Sequence, residues 1–241
     1  MQNKSKTILV TGSARRIGRV LSLAAAKSGW NVIIHHRDSL SDAEETKREI
    51  ETIGQEATIF QADFSNPKST VDFIKNVFSS GFVSAIINNA SVFSNNNWSN
   101  TDLAQWNTHL AINLTAPFLL SQALGKSLPD NQDGRIINIL DWRALRPGKD
   151  HFPYTISKAG LAALTKSMAI SLAPNITVNG IALGAVLPPS DGGNTDDILS
   201  AVQIPRWAEL SEVEDTMLFL LSGPKYITGE IIHLDGGRHL S

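Results

Sequence analysis

The chain has 241 residues, a formal charge of −2 and no cysteine. That length suits one large domain or two small ones, with a substantial buried core. The near-neutral charge gives no electrostatic basis for a nucleic-acid or anionic-membrane partner, and the missing cysteines exclude disulfides and thiolate metal sites.

The apolar run after the basic N-terminus is too short for a signal sequence and leads straight into a glycine turn. No run approaches membrane-spanning length, so a soluble cytoplasmic protein is expected. Residues 7–11 (TILVT) form a short β-rich run, and 12–18 (GSARRIG) follow directly. From Ile17 the apolar spacing turns helical and stops at Gly29. Residues 31–36 predict a second strand, 41–53 a charged helix and 56–61 a third strand. A helix opens at Pro67, with Asn66 or Ser65 as its cap. Residues 83–87 predict a fourth strand running into Asn88, Asn89 and Ala90; 102–126 a long apolar helix; 135–140 a fifth strand; 153–173 another helix; and 177–182 a sixth strand. A Gly/Pro/Asp-rich segment over 184–205 precedes a helix at 212–222, and 230–233 closes the sheet.

Strands alternate with helices throughout, and most strands are continuously apolar, the pattern of a parallel sheet covered on both faces. No linker or repeat divides residues 1–241. The expectation is one α/β domain, a Rossmann-type doubly wound parallel sheet with helices on both faces. Ligands of such sheets bind beyond the carboxyl ends of the strands, and the uncommon residues gather there.

At the first of these ends, Gly12 and Gly18 let backbone N–H groups approach a pyrophosphate at a helix N-terminus, with Arg16 at the middle position of the turn. Where many NAD-binding sheets carry an acidic residue after the second strand, His36 and Arg37 stand here, with Arg15 in the neighbouring loop. Guanidinium groups suit a 2′-phosphate, which favours NADPH over NADH; Asp38 beside Arg37 counts against this. Asp63 is open between an adenine contact and a turn residue. Further along, Asp141 ends a strand, and Tyr154 and Lys158 stand four apart on one helical face. A cation one turn from a phenol lowers the phenol's pKa, and a desolvated carboxyl is raised and able to deliver a proton. None of the six histidines pairs with another at metal-ligand spacing, so no metal is expected.

Taken together, Thr11–Gly12 with Gly18, Asp63, Asn88–Asn89–Ala90, Asn113, Tyr154-x-x-x-Lys158 and Asp235–Gly236–Gly237 resemble the short-chain dehydrogenase/reductases over nearly the whole chain. Arg16, the Asn89–Ala90–Ser91–Val92–Phe93 run and Asp141 in place of the family's serine look most like pteridine reductases and bacterial dihydromonapterin reductases. The resemblance implies catalytic roles for Asp141, Tyr154, Lys158 and Asn113. Tyr154 would donate the proton, Lys158 would bind the nicotinamide ribose, and Asn113 would support a relay water through a bend in its helix. It implies cofactor contacts at Gly12, Arg15, Arg16, Ile17, Gly18, His36, Arg37, Asp63, Phe64, Asn89, Ala90, Ser91, Tyr154, Lys158, Gly184 and Val186. A flat pterin-like substrate would meet Arg16, Ser91, Phe93, Asp141 and Tyr154. Leu183–Gly184 departs from the family's Pro-Gly, which leaves the start of the 184–206 substrate loop less defined. Residues 95–98 are expected to be mobile.

The activity implied is NADPH-dependent reduction of a dihydropteridine to its tetrahydro form by a homotetramer. Two alternatives stand beside it. One is a carbonyl or 3-oxoacyl-thioester reductase of the same fold. The other is a silent NADP(H)-binding protein in which Asp141 marks a lost serine.

Overall fold

The computed structural model describes residues 6–188, 199–200 and 202–240. The anticipated 184–206 segment therefore lies partly outside the described residues. Strand β1 (Thr7–Val10) leads through the glycine turn into α1 (Arg16–Lys27), and β2 (Asn31–His36) into α2 (Leu40–Ile53). Then come β3 (Ala57–Gln61), α3 (Pro67–Ser80), β4 (Ala85–Asn88) and α4 (Leu103–Leu110). The second half continues with α5 (Ala116–Ser127), β5 (Gly134–Asp141), α6 (Phe152–Leu172), β6 (Ile176–Leu183), α7 (Leu210–Ser222) and β7 (Ile231–Leu234). The strands form one seven-stranded sheet in the order β3-β2-β1-β4-β5-β6-β7, and every described pairing is parallel. The doubly wound expectation is borne out.

Strand alternation builds the two cores. Ile8, Val10, Val32 and Ile34 face α1 and α7, where Leu21, Ala25, Val213 and Met217 cover them. Leu9, Ile33, Ile86 and Val178 face the other way, against Phe73 and Val77 of α3 and Leu120 and Leu124 of α5. Each face is closed by helices, so the sheet's only polar frontier near its centre is the carboxyl edge. There the chain order reverses between β1 and β4, leaving a crevice. Among the described residues no helix is long and apolar enough to cross a membrane.

The helix anticipated over 102–126 is broken. Asp102 caps α4 through the backbone N–H of Gln105, and Gln105 answers with its side chain. After Leu110 the chain makes a π-helical turn, Ala111–Thr115, closed by the Ala116 N–H on the Ala111 carbonyl. Pro117 lacks the N–H that an unbroken helix would send to the carbonyl of Asn113, which accounts for a break at this place.

Candidate active site

The glycine turn is set by contacts that leave little choice of residue. Gly12 has φ +63°, and a Cβ there would meet the Ala90 Cα at 3.0 Å. A Cβ on Gly18 would lie 2.1 Å from the Gly12 carbonyl oxygen and 2.7 Å from the Asn89 amide nitrogen. Thr11 joins the turn to β4: its hydroxyl accepts the N–H groups of Asn89 and Ala90, both at 2.9 Å. The Asn89 amide donates to the carbonyls of Thr11 (2.9 Å) and Gly12 (3.2 Å). Asn89 is thus a brace whose side chain turns to β1, while its partner Asn88 points into the core and donates to Asn138 at 2.8 Å.

A cavity of about 490 Å³ opens above this turn at the switch in strand order. Of the anticipated cofactor residues, Gly12, Arg15, Arg16, Ile17, Gly18, His36, Arg37, Asp63, Phe64, Asn89, Ala90 and Ser91 all line it. Tyr154, Lys158, Gly184 and Val186 are not in its lining. A Cβ on Gly184 would lie 2.6 Å from the Asp235 Cα, so its glycine serves the packing of β6 on the β7 turn. Val186 is buried in the α1/α7 core.

Charge is distributed along the cavity as well. Arg37 donates to Asp38 at 2.7 Å with both side chains more than half exposed, a pairing worth about 1 kcal/mol or less. A 2′-phosphate, with bidentate charge-assisted bonds to offer, competes well against it. Asp63 resolves towards a turn role: its Oδ1 accepts from the N–H (2.9 Å) and hydroxyl (2.7 Å) of Ser65, which hold its carboxyl below the usual range. His36 is buried, which lowers its imidazole, and among the described residues its Nδ1 lacks a partner. A glycine cradle, two guanidinium groups and a partnerless buried imidazole nitrogen fit an anionic, hydrogen-bonding cofactor such as NADPH. Arg16 holds φ +53°, the left-handed backbone that a glycine would adopt freely. The strain costs roughly 1 kcal/mol, and its guanidinium reaches across to donate to the Pro188 carbonyl at 3.1 Å.

Where the cavity passes Ser91 and Phe93 it meets the proton-handling cluster. Asp141 is the last residue of β5, and its Oδ1 accepts the Arg143 N–H at 2.9 Å. The Tyr154 hydroxyl donates to Asp141 Oδ2 at 3.1 Å. Lys158, 2% exposed, donates to the Ile139 carbonyl at 2.7 Å, and its Nζ lies 5.8 Å from the Tyr154 ring centroid. Burial lowers the Lys158 ammonium to about 8. Tyr154 contradicts the expected direction. Burial first, and then the adjacent Asp141 carboxylate, push the phenol well above its ordinary value. The helical spacing brings Lys158 near, but its ammonium is turned to β5, and the carboxylate is the charge that faces the phenol.

Asn113, fully buried, works through its side chain. Its Oδ1 accepts from the Ser91 hydroxyl (3.1 Å) and the Val92 N–H (2.9 Å). Its Nδ2 donates to the Val92 carbonyl (3.1 Å) and the Ser157 hydroxyl (2.9 Å), and Ser157 donates to the Tyr154 carbonyl (2.7 Å). The π turn thus fixes the loop after β4 against the helix carrying Tyr154. Phe93 stands edge-on to Tyr154 at 4.7 Å, but one of its faces is already covered by His151 at 4.0 Å. Residues 95–98 make several local hydrogen bonds. The Asn97 Oδ1 accepts from Ser99 and Asn100, and the Asn96 carbonyl accepts the Phe152 N–H at 2.7 Å.

Four residues of the site escape a reading by motif: His35, Thr11 as a brace, Ser157 and His151. The period of β2 is the signal that finds His35, since it shares the parity of Ile33 and so faces α3.

A family model described as short chain dehydrogenase matches residues 6–198. The 3-oxoacyl-[acyl-carrier-protein] reductase FabG of Staphylococcus epidermidis is 31% identical, covering 98% of this chain and 100% of that protein. The 2-dehydro-3-deoxy-D-gluconate 5-dehydrogenase of Bacillus subtilis is 32% identical over 97% of this chain and 94% of its own. Among solved structures, FolM alternative dihydrofolate reductase 1 from Brucella canis, complexed with NADP, superposes with a TM-score of 0.90. It is 36% identical, and the match covers 98% of this chain and 95% of that one.

Proposed function

The chain belongs to the short chain dehydrogenase family, and on that premise we propose that it is an NADPH-dependent reductase of a dihydropteridine. The observation that carries this reading is the Tyr154–Asp141 hydrogen bond beside Phe93. The bond puts the phenol hydroxyl and the Asp141 carboxyl group where a ring lying beside Phe93 would meet them, and reduction of a C=N bond needs a proton at that place as well as a hydride. The similarity to FolM alternative dihydrofolate reductase 1 supports the substrate class, and the NADP complexes among similar structures support the cofactor.

In this reading the glycine turn and Arg15 hold the pyrophosphate, Arg37 the 2′-phosphate, Phe64 and Asp63 border the adenine, and Ala90 and Ser91 lie along the cofactor. Tyr154 and Lys158 take the nicotinamide ribose. NADPH, when bound, supplies a hydride to the ring carbon of the C=N bond. The proton would reach the ring nitrogen from the Tyr154 hydroxyl through water, with Asp141 orienting that hydroxyl by accepting its hydrogen bond, giving CH–NH. Phe93 offers its exposed side to the flat ring, while His151 fixes its orientation. Arg16 ties the cofactor turn to the start of the substrate segment through Pro188.

The test follows NADPH absorbance with dihydromonapterin, dihydrobiopterin, dihydrofolate and an acetoacetyl thioester, using the native chain and Asp141→Ser. Turnover of a dihydropteridine, falling about a hundredfold in Asp141→Ser, is expected. Turnover of the thioester alone sinks the pterin reading and favours the second one, a 3-oxoacyl-thioester reductase, which the FabG relatives support. Binding of NADPH with no turnover favours a silent binding protein. The assembly is read as a homotetramer: the outer sides of α5 and α6 leave Phe118, Ile156 and Ile170 exposed, apolar surface that a second copy would cover.

A further inference from the structure

His35 belongs to no motif of the site, yet it touches three of the strand ends that make the cavity. Its Nδ1 lies 2.9 Å from the Gly12 nitrogen, and its Nε2 lies 3.2 Å from the Ala62 carbonyl oxygen. A backbone N–H can only donate and a carbonyl can only accept, so the tautomer is forced: Nδ1 accepts and Nε2–H donates. The backbone of the same residue is locked to the next position of the turn. The Ser13 N–H donates to the His35 carbonyl at 2.9 Å, and the His35 N–H donates to the Ser13 hydroxyl at 3.0 Å. The ring is clamped between neighbours, parallel to Phe64 at 4.1 Å and edge-on to Phe73 at 5.0 Å.

We infer that His35 is a positioning residue for the cofactor: its imidazole fixes the Gly12 peptide of the phosphate turn at a set distance from the Ala62–Phe64 wall. This rests on the reading that the cavity takes NADPH. Gly12 carries φ +63° and no side chain, and the Asn89 amide holds only the Thr11 and Gly12 carbonyls on either side of the Gly12 N–H. The Nδ1 bond holds that N–H, and the Nε2 bond ties it to the end of β3. Asp63 and Phe64, directly after Ala62, form the far side of the same cavity. One ring therefore spans from the pyrophosphate side to the adenine side. Protonation would set a second donor against the Gly12 N–H, and burial guards against it by lowering the imidazole to about 4.

A packing role and a positioning role predict opposite orders for two substitutions. His35→Phe keeps an aromatic ring between Phe64 and Phe73 and loses the acceptor. His35→Asn spoils the stacking but keeps an acceptor at the Nδ1 position. NADPH and 2′,5′-ADP affinities are measured by calorimetry on the full chain, with thermal melting and hydrogen exchange at the Gly12 amide alongside. Positioning predicts that His35→Phe binds NADPH about tenfold or more weakly and exposes the Gly12 amide to exchange, because one amide is left unpaired. It predicts that His35→Asn binds within about threefold of the native chain, even if it melts lower. Native affinity in His35→Phe, or equal losses in both variants, overturns the inference while the cofactor reading stands. A native chain that binds no NADPH overturns the cofactor reading, and this inference with it.

Discussion

The two halves of the crevice are held by different means. On the β1–β3 side the geometry is enforced by backbone and sterics: a Cβ on Gly18 has no room, Thr11 and Asn89 brace β1 to β4, and His35 links three strand ends. On the β4–β6 side the geometry is a matter of charge and proton placement, with Asp141 accepting from Tyr154 and Arg143 while Asn113 pins the loop bearing Phe93. The first half is a shape that the fold makes on its own account. The second is a set of side chains mounted on that shape, and their identity decides the chemistry. Changes on the two sides should therefore separate into effects on binding and effects on turnover.

The largest effect expected tests that separation directly. Tyr154→Phe removes the donor and nothing from the glycine turn, so turnover should fall about a thousandfold, with NADPH affinity lowered by about tenfold at most through the loss of one ribose contact. Single-turnover kinetics and calorimetry on the same preparation give both numbers. A parallel loss of NADPH binding would mean that the halves are one unit.

A second measurement asks how far the cofactor half depends on one neutral ring. His35 is almost fully buried, and its imidazole is lowered from 6.5 to about 4. The unfolded chain takes up a proton near pH 6.5 that the folded chain refuses until about pH 4. Stability from this residue is therefore constant above pH 6.5, drops as the pH falls towards 4, and levels off below that. The drop amounts to about 3 kcal/mol. Urea denaturation across this range should show it in the native chain, and His35→Phe should flatten that part of the slope. Identical slopes would show that the ring's burial is not what the cofactor half rests on.

The smallest effect belongs to the residue that joins the halves. Arg16→Gly should relieve about 1 kcal/mol of left-handed strain and cut the bond to Pro188. A chain that is slightly harder to unfold and several-fold lower in kcat/KM is expected. A gain in both would assign Arg16 to neither side.

Legibility in the sequence divides along the same line. The sheet and its carboxyl edge follow from alternation of helical and apolar strand patterns, because both are set by spacing along the chain. Tyr154, Lys158, Asp141 and the glycine turn were also readable, since each falls at a strand end or on one helix face, whereas Asn113 and most other lining residues came only with the family resemblance. What spacing does not carry is the third dimension of each polar group. The i, i+4 relation places Lys158 near Tyr154 but says nothing of the Ile139 carbonyl that accepts its hydrogen bond, or of the Asp141 carboxylate beside the phenol. A bend at Asn113 was implied by the family resemblance alone; that it is a π turn just before Pro117 does not show in an apolar pattern that runs on through it. The close approach of Asp235 to Gly184 is likewise a contact between distant parts of the chain that spacing does not carry.

That π turn also sets a limit of another kind. An α-helix advances about 100° per residue, but the wide turn at Ala111–Thr115 holds one residue in reserve between α4 and α5. An exchange of side chain within it leaves that reserve alone. Removing one residue would let the helix close as ordinary α with α4 and α5 still in phase, because the i→i+5 turn takes up one residue more than an α turn for about the same rotation. Asn113 lies within that turn, so its bonds to Val92 and Ser157 would be the ones disturbed. A residue can be dropped here without turning the helices, but not without touching the site.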